Sequence, residues 1–225
     1  MQQATDDAIV LSASPSHRFV AVEGPIGVGK TTLCKKLANT FNYHTLLENA
    51  DGNPFLERFY NNENVALATQ LHFLFQRSKQ LAELHQNDMF DPRRVADFLI
   101  EKDKIFAQAN LDADEYALYE QVYTELQPKS VRPDLVIYLQ APVDTLIERI
   151  IKRGIMSEQH INRDYLEQLN EAYSQFFLYY DGAPLLIINA TDIDFADNDQ
   201  HYQQLLSYIQ GITSGRHYFN PAVTG

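Results

Sequence analysis

Lys30 and Thr31 close the stretch Gly24-Pro25-Ile26-Gly27-Val28-Gly29-Lys30-Thr31, a G-x-x-x-x-G-K-T pattern. Its glycines let the backbone wrap closely around an oxyanion, because no Cβ blocks the path. N–H groups along the turn and the N-terminus of the next helix supply positive partial charge. Gly24, Ile26, Gly27, Val28, Gly29, Lys30, Thr31 and Thr32 are therefore the expected phosphate contacts. Lys30 adds a mobile charge for terminal phosphates, and the Thr31 hydroxyl is a ligand for Mg²⁺. The pattern has this meaning only between a strand and a helix. Both are present: Phe19-Val20-Ala21-Val22-Glu23 is an apolar run, and Leu33, Leu37 and Phe41 recur at helical spacing. A Gly-rich turn that binds nothing is the plain alternative.

Other residues of the right type lie where strands end. Tyr43-His44-Thr45-Leu46-Leu47-Glu48 reads as a second strand closing on a carboxylate, before a loop rich in Asn, Asp and Gly. Open parallel sheets collect ligands at the carboxyl ends of their strands, so Glu48 is a candidate acid or base rather than only a solvated strand end. Asp97, near the end of a short strand starting at Arg93, is a candidate Mg²⁺ or water ligand. A helix N-cap is the competing role for it. On a long helix, Gln70 and Arg77 project from nearly one side, about 10 Å apart along the axis. With Phe73 and Leu74 between them they have the chemistry to read and stack a planar base. A half-exposed helix face has the same spacing. Arg149, Lys152 and Arg153 end another helix before Gly154. They serve either the helix dipole or a basic lid that closes on phosphates.

The elements positioning these groups alternate strand and helix. Strands are expected at 18–23, 43–48, 93–98, 135–140 and 184–189, with helices at 31–41, 55–61, 64–86, 112–127, 142–153, 163–181 and 199–210, and a further helix carrying Asp103 and Lys104 and continuing through Ala107. That pattern is an α/β three-layer sandwich around a five-stranded parallel sheet. One domain spans 18–212, with tails at 1–17 and 213–225, the second punctuated by Gly, Ser and Pro and expected to be loose. The 225 residues are 45% hydrophobic with a formal net charge of -12. The acidic balance argues against a nucleic-acid polymer as partner. No apolar run approaches membrane-spanning length, and the N-terminus lacks a signal-peptide pattern, which leaves the cytoplasm as the expected compartment. Cys34 is the one cysteine, so no internal disulfide forms, and it is expected to fill the core.

Taken together these phrases resemble the deoxyribonucleoside kinase family, of P-loop nucleoside triphosphate hydrolase-like fold, and most closely its bacterial deoxyadenosine/deoxyguanosine branch. The likeness rests on Glu23 to Thr31, Asn53-Pro54-Phe55-Leu56-Glu57, the Gln70–Arg77 helix and Lys102-Asp103-Lys104-Ile105-Phe106-Ala107. It continues through Pro133 to Leu139, Glu148 to Gly154 and Asp164-Tyr165-Leu166, running from about residue 18 to 210. It implies transfer of the ATP γ-phosphoryl, with Mg²⁺, to the 5′-hydroxyl of a deoxyribonucleoside, a purine by this branch, in nucleotide salvage. By position, Glu48 matches the general base. Gln70 and Arg77 match the pair that bonds the base, and Asp103 their acidic partner. Tyr60 and Glu158 match the groups on the 3′-hydroxyl, Arg149 and Arg153 the lid arginines, and Asp97 the third-strand acid. Relatives of this kind are commonly homodimers.

Two departures stand out. Phe98 follows Asp97 where many relatives carry an arginine, leaving Arg93 and Arg94 as the cations available to replace it. The lid reads Arg153-Gly154-Ile155, one cation short of the usual Arg-Gly-Arg. An alternative alignment gives Asp91 and Asp97 the parts of Asp97 and Asp103. Two further activities stay open on sequence alone. One is a nucleoside-monophosphate kinase of thymidylate-kinase type, which needs basic groups at the acceptor phosphate, drawn from Arg58, Arg77, Arg93 and Arg94. The other is a nucleotide-binding module without catalysis.

Overall fold

The computed structural model describes residues 17–220 except 62, 88–92, 127–131, 192 and 194–198, with side chains left out at 84–87. The expected turn at 88–92 with Asp91, the helix stop at Gln127-Pro128, most of the loop at 192–195 and the N-terminal tail lie outside the described residues.

Strand β1 (Phe19–Glu23) is buried at every position, and β4 (Leu135–Gln140) is nearly so. Such unbroken apolar runs arise when helices cover both faces of a parallel sheet. Along β4, Leu135, Ile137 and Leu139 enter one core, while Val136 and Tyr138 enter the opposite one. That is the two-residue period of a strand. The first core takes Leu33 and Leu37 of α1 (Lys30–Phe41), Leu146 of α6 (Val143–Arg153), and Leu205 and Ile209 of α8 (Asp199–Gln210). The second takes Ile105 of α4 (Lys102–Asn110) and Tyr173 and Phe177 of α7 (Arg163–Tyr179). Rings of Tyr138 and Phe177 stack there at 4.1 Å. A third cluster joins α3 (Ala66–Asn87) and α5 (Ala113–Leu126) to the segment leading into α4 through Leu74, Tyr119, Tyr123 and Phe98. Cys34 is buried as expected, its thiol pushed up to about 12 by burial first and then by Asp97.

With β2 (His44–Leu46), β3 (Arg94–Ala96), β5 (Leu185–Asn189) and β6 (Arg216–Phe219), the sheet order is β2-β3-β1-β4-β5-β6, every pair parallel. The chain leaves β1 toward β2 and β3 on one side, then crosses to β4 on the other. A crevice therefore opens at the carboxyl end of β1, where the strand order reverses. The sheet has six strands, not the five expected. The sixth, β6, pairs with β5 and buries Phe219 in the first core, so part of the segment read as a loose tail belongs to the sheet. Four residues behind a Ser-Gly turn carry too little alternation to signal an edge strand.

Strand β2 is also shorter than expected. It ends at Leu46, and the Glu48 N–H donates to Asp97 Oδ1 at 2.7 Å instead of continuing the ladder.

Candidate active site

The phosphate loop owes its shape to glycines pressed against their surroundings. A Cβ on Gly24 would lie 2.5 Å from the Leu139 carbonyl oxygen, and one on Gly27, at φ +83°, would lie 2.9 Å from the Leu146 carbonyl oxygen. Each excludes a side chain sterically, and the positive φ independently favours glycine at position 27. Glu23 anchors the loop from below. Fully buried, it accepts from Gly24 N (2.9 Å) and the Tyr173 hydroxyl (3.0 Å) on Oε1, and from Leu99 N (2.9 Å) on Oε2. One carboxylate thus ties the loop, the β3–α4 connection and α7 together.

Above the loop a cavity of about 870 Å³ runs along the strand ends. Ile26 to Thr32 line it, together with Glu48, Tyr60, Gln70, Arg77, Asp97, Arg149, Arg153 and Glu158. Of the residues singled out by sequence, Gly24, Arg58, Leu74, Arg93, Arg94 and Asp103 are absent from the wall. Gly24 is wedged under Leu139, and Asp103 sits buried behind Arg77, its ion partner.

Asp97 links the two ends of the site. Its Oδ2 accepts the Thr31 hydroxyl at 2.6 Å, while its Oδ1 holds the Glu48 backbone. It caps no helix: the residue before α4 is Glu101. Lys30 Nζ donates to the carbonyls of Gly24 (2.7 Å) and Pro25 (3.0 Å). Burial first, then the nearby Lys102, lowers the Lys30 ammonium to about 8 against the opposing pull of Glu23, Glu48 and Asp97.

Glu48 is clasped by two cations. Arg77 pairs with Oε1, and Lys102 Nζ lies 2.9 Å from Oε2. Burial raises its carboxyl, but Arg77, then Lys102, then Lys30 overcome that and hold it at about 2. Arg77 is itself buried, paired with Asp103 and set 5.0 Å over the Phe73 ring. Phe73, Phe106 and Gln70 complete the wall at this end. Leu74, grouped with them by sequence, points instead into the third core.

Helix α2 (Leu56–Tyr60) packs against the turn Met156–His160 that follows α6. Arg153 pairs with Glu158 there. Burial, then Tyr165, Glu158 and Glu48, pushes the Tyr60 hydroxyl well above its ordinary value, so it stays a neutral donor. Arg149 is fixed rather than free: it donates to the carbonyls of Val28 (3.2 Å), Ala190 (2.7 Å) and Thr191 (3.3 Å), bridging the loop to the end of β5.

The expected stand-ins for the missing arginine do not reach the site. The Arg93 guanidinium lies 5.9 Å from the Tyr43 ring at the start of β3, and neither Arg93 nor Arg94 lines the cavity. Asp97 follows the far end of the strand, about 13 Å from Arg93 at 3.3 Å per residue. Sequence reasoning passed over Lys102 and Phe106. Their signal was available, since they stand four apart on one helix face beginning beside Asp103.

Among the described residues no cluster of three or more His, Cys, Asp or Glu is arranged to cage a metal, and no helix is long and apolar enough to cross a membrane. The Thr31 hydroxyl and Asp97 Oδ2 instead lie 2.6 Å apart beside the phosphate loop, two hard oxygens that could hold a cation. This suits Mg²⁺, which keeps waters and takes its remaining ligands from phosphates.

Comparison with known proteins identifies the family. A deoxyguanosine kinase of Bacillus subtilis is 32% identical over 200 residues, covering 86% of this chain and 97% of that protein. A deoxyadenosine/deoxycytidine kinase of the same organism is 29% identical, covering 88% and 94%. The solved structure of deoxyadenosine kinase from M. mycoides with bound dATP superposes with a TM-score of 0.73 at 27% identity, over 85% of this chain and all of that one. The deoxynucleoside kinase family model matches residues 20–214, and the chain belongs to that family.

Proposed function

We propose that this protein transfers the γ-phosphoryl of ATP to the 5′-hydroxyl of a purine deoxyribonucleoside, deoxyadenosine or deoxyguanosine, in nucleotide salvage. The observation that carries the proposal is the placing of Glu48: an ionised carboxylate faces the same cavity as the phosphate loop, joined to Thr31 through Asp97. The names of the bacterial relatives support a deoxyribonucleoside as substrate: each includes deoxyadenosine or deoxyguanosine, and one includes deoxycytidine as well.

In this mechanism Glu48 accepts a hydrogen bond from the 5′-hydroxyl and turns its oxygen toward the loop. That oxygen bonds to the γ-phosphorus as the bond to the bridging oxygen breaks, ADP leaves, and the hydroxyl proton passes to Glu48 and on to solvent. Held near 2, Glu48 is ionised at any physiological pH and always an acceptor. Loop N–H groups and Lys30 take the phosphates of ATP, and Arg153 closes from the lid. The transition state is loose, so such positioning and charge placement account for most of the catalysis. Mg²⁺, held by Thr31 and Asp97, would neutralise charge on the β- and γ-phosphates. Gln70 and Arg77 read the base, with Asp103 fixing Arg77 from behind, while Phe73 and Phe106 stack on it. Tyr60 and Glu158 hold the 3′-hydroxyl.

A monophosphate acceptor fits less well. Arg58 is paired with Glu63 at 2.6 Å on the surface, and Arg77 is engaged by two carboxylates. A homodimer is the assembly we propose, its interface on α3 and α5, where Phe75 and Leu118 are about half exposed; the mass in solution tests it. For the activity, the protein is incubated with ATP, Mg²⁺ and a panel of nucleosides and monophosphates, and products are identified by mass spectrometry. Deoxyadenosine or deoxyguanosine 5′-monophosphate is expected. Turnover of monophosphates alone, or of nothing, refutes the proposal.

A further inference from the structure

Lys102 is an unusual lysine. It is 3% exposed, whereas lysine is almost never fully buried unless paired. It occupies the first residue of α4, where the helix dipole disfavours a cation. Stability alone gives no reason for it there. Its Nζ reaches Glu48 Oε2 at 2.9 Å, with the Phe106 ring 5.6 Å away. Arg77 occupies the other oxygen of the same carboxylate. The two cations thus take one oxygen each and define the plane of the carboxyl group. Phe98, directly after Asp97, is buried in the third core and supplies no charge.

We propose that Lys102 is a positioning residue for phosphoryl transfer, keeping Glu48 Oε2 turned to the cavity by preventing the carboxylate from swinging fully onto Arg77. A guanidinium binds carboxylate best through two parallel hydrogen bonds. With Lys102 removed, Glu48 rotates to meet Arg77 in that fork and withdraws from the acceptor hydroxyl. The inference rests on the phosphoryl-transfer function proposed above, but its geometric half is measurable without any activity.

The test compares Lys102→Met and Lys102→Arg in the full chain. Lys104→Met serves as control, since that side chain pairs with Glu120 at the surface of the same helix. Crystal structures give the orientation of Glu48, while kcat and KM are measured with the deoxynucleoside that the wild-type protein uses. Lys102→Met should show the rotated, bidentate Glu48 and lose about 10- to 100-fold in kcat, with KM for ATP nearly unchanged. Lys102→Arg should restore both the orientation and most of kcat, and Lys104→Met should match the wild type. A Glu48 that stays in place in Lys102→Met overturns the proposal, whatever the assay reads. So does a loss of kcat that arginine does not repair and that tracks a lowered melting temperature. A wild-type protein that phosphorylates no deoxynucleoside defeats the proposed function instead, and the orientation of Glu48 still decides the part played by Lys102.

Discussion

Replacing Glu48 by glutamine tests catalysis and stability with a single change. The carboxyl's drop from an ordinary 4.5 to about 2 corresponds to about 3 kcal/mol of favourable interaction in the folded state, at 1.36 kcal/mol per pH unit. The side chain keeps 17% of its surface open, so solvent screening makes this an upper figure. In a protein of this size 1 kcal/mol moves the melting temperature by about 2–4 °C, so Glu48→Gln should melt about 6–12 °C lower at pH 7. The sign follows from linkage. A carboxyl depressed in the folded state contributes its stability above the unfolded value of 4.5 and loses it as pH falls toward 2. The gap between wild type and Glu48→Gln should therefore be constant from pH 7 to 5 and narrow below 4.5. Turnover should fall by about 10²–10⁴, the usual worth of a positioned base, while ATP binding by calorimetry persists. Melting curves across pH and a coupled ADP-release assay provide both readings. A Glu48→Gln protein with wild-type kcat removes Glu48 from the chemistry. A melting difference that does not shrink with acid refutes the electrostatic account of how Arg77 and Lys102 hold it.

Three further outcomes are expected. With the Lys30 ammonium at about 8, KM for ATP should climb above that pH by up to about tenfold per unit; a flat KM to pH 9.5 removes the charge of Lys30 from ATP capture. Asp97→Asn should raise the Mg²⁺ concentration for half-maximal rate by about 10- to 100-fold, and an unchanged Mg²⁺ requirement reassigns Asp97 to bracing Thr31 and the Glu48 backbone. Gln70→Ala should raise KM for the deoxynucleoside by about tenfold with kcat little changed, and a change in KM for ATP alone would move Gln70 away from the base.

Much of this was legible in the sequence because the responsible signals are local. The glycine spacing, the continuous apolar strands and the helical repeats of Leu33 and Leu37 each declare themselves within a dozen residues. Strand-end placement then brings Glu48 and Asp97 to the crevice once the sheet is parallel. What stayed hidden depends on tertiary contact. Lys102 looks like an ordinary helical lysine until β2 and α4 meet at Glu48. Arg93 and Arg94 stand close to Asp97 in sequence, but an extended strand carries them to its opposite end. The bonds that fix Arg149 come from loops 41 and 121 residues away. Strand β6 exists because β5 offers it an edge to pair with.

The charges around Glu48 also argue for function over architecture. Asp103, Arg77, Glu48 and Lys102 form a chain of alternating sign that runs from behind the cavity wall, at Asp103, to its surface, three of its four members nearly fully buried. A buried ion pair rarely adds stability over well-packed apolar side chains of the same volume, because the desolvation cost consumes the Coulombic gain. Folding alone would thus have been served as well by leucines or phenylalanines, which already fill the adjoining core around Phe98 and Leu74. The chain of charges does something apolar residues cannot: it presents one carboxylate, fixed in orientation and ionised, to the space in front of the phosphate loop. Asp103 compensates Arg77 from behind, which leaves both oxygens of Glu48 held but not neutralised by a single partner. An acceptor hydroxyl entering that space meets an oriented anion on one side and the cationic loop on the other, the polarity that in-line transfer of a phosphoryl group requires.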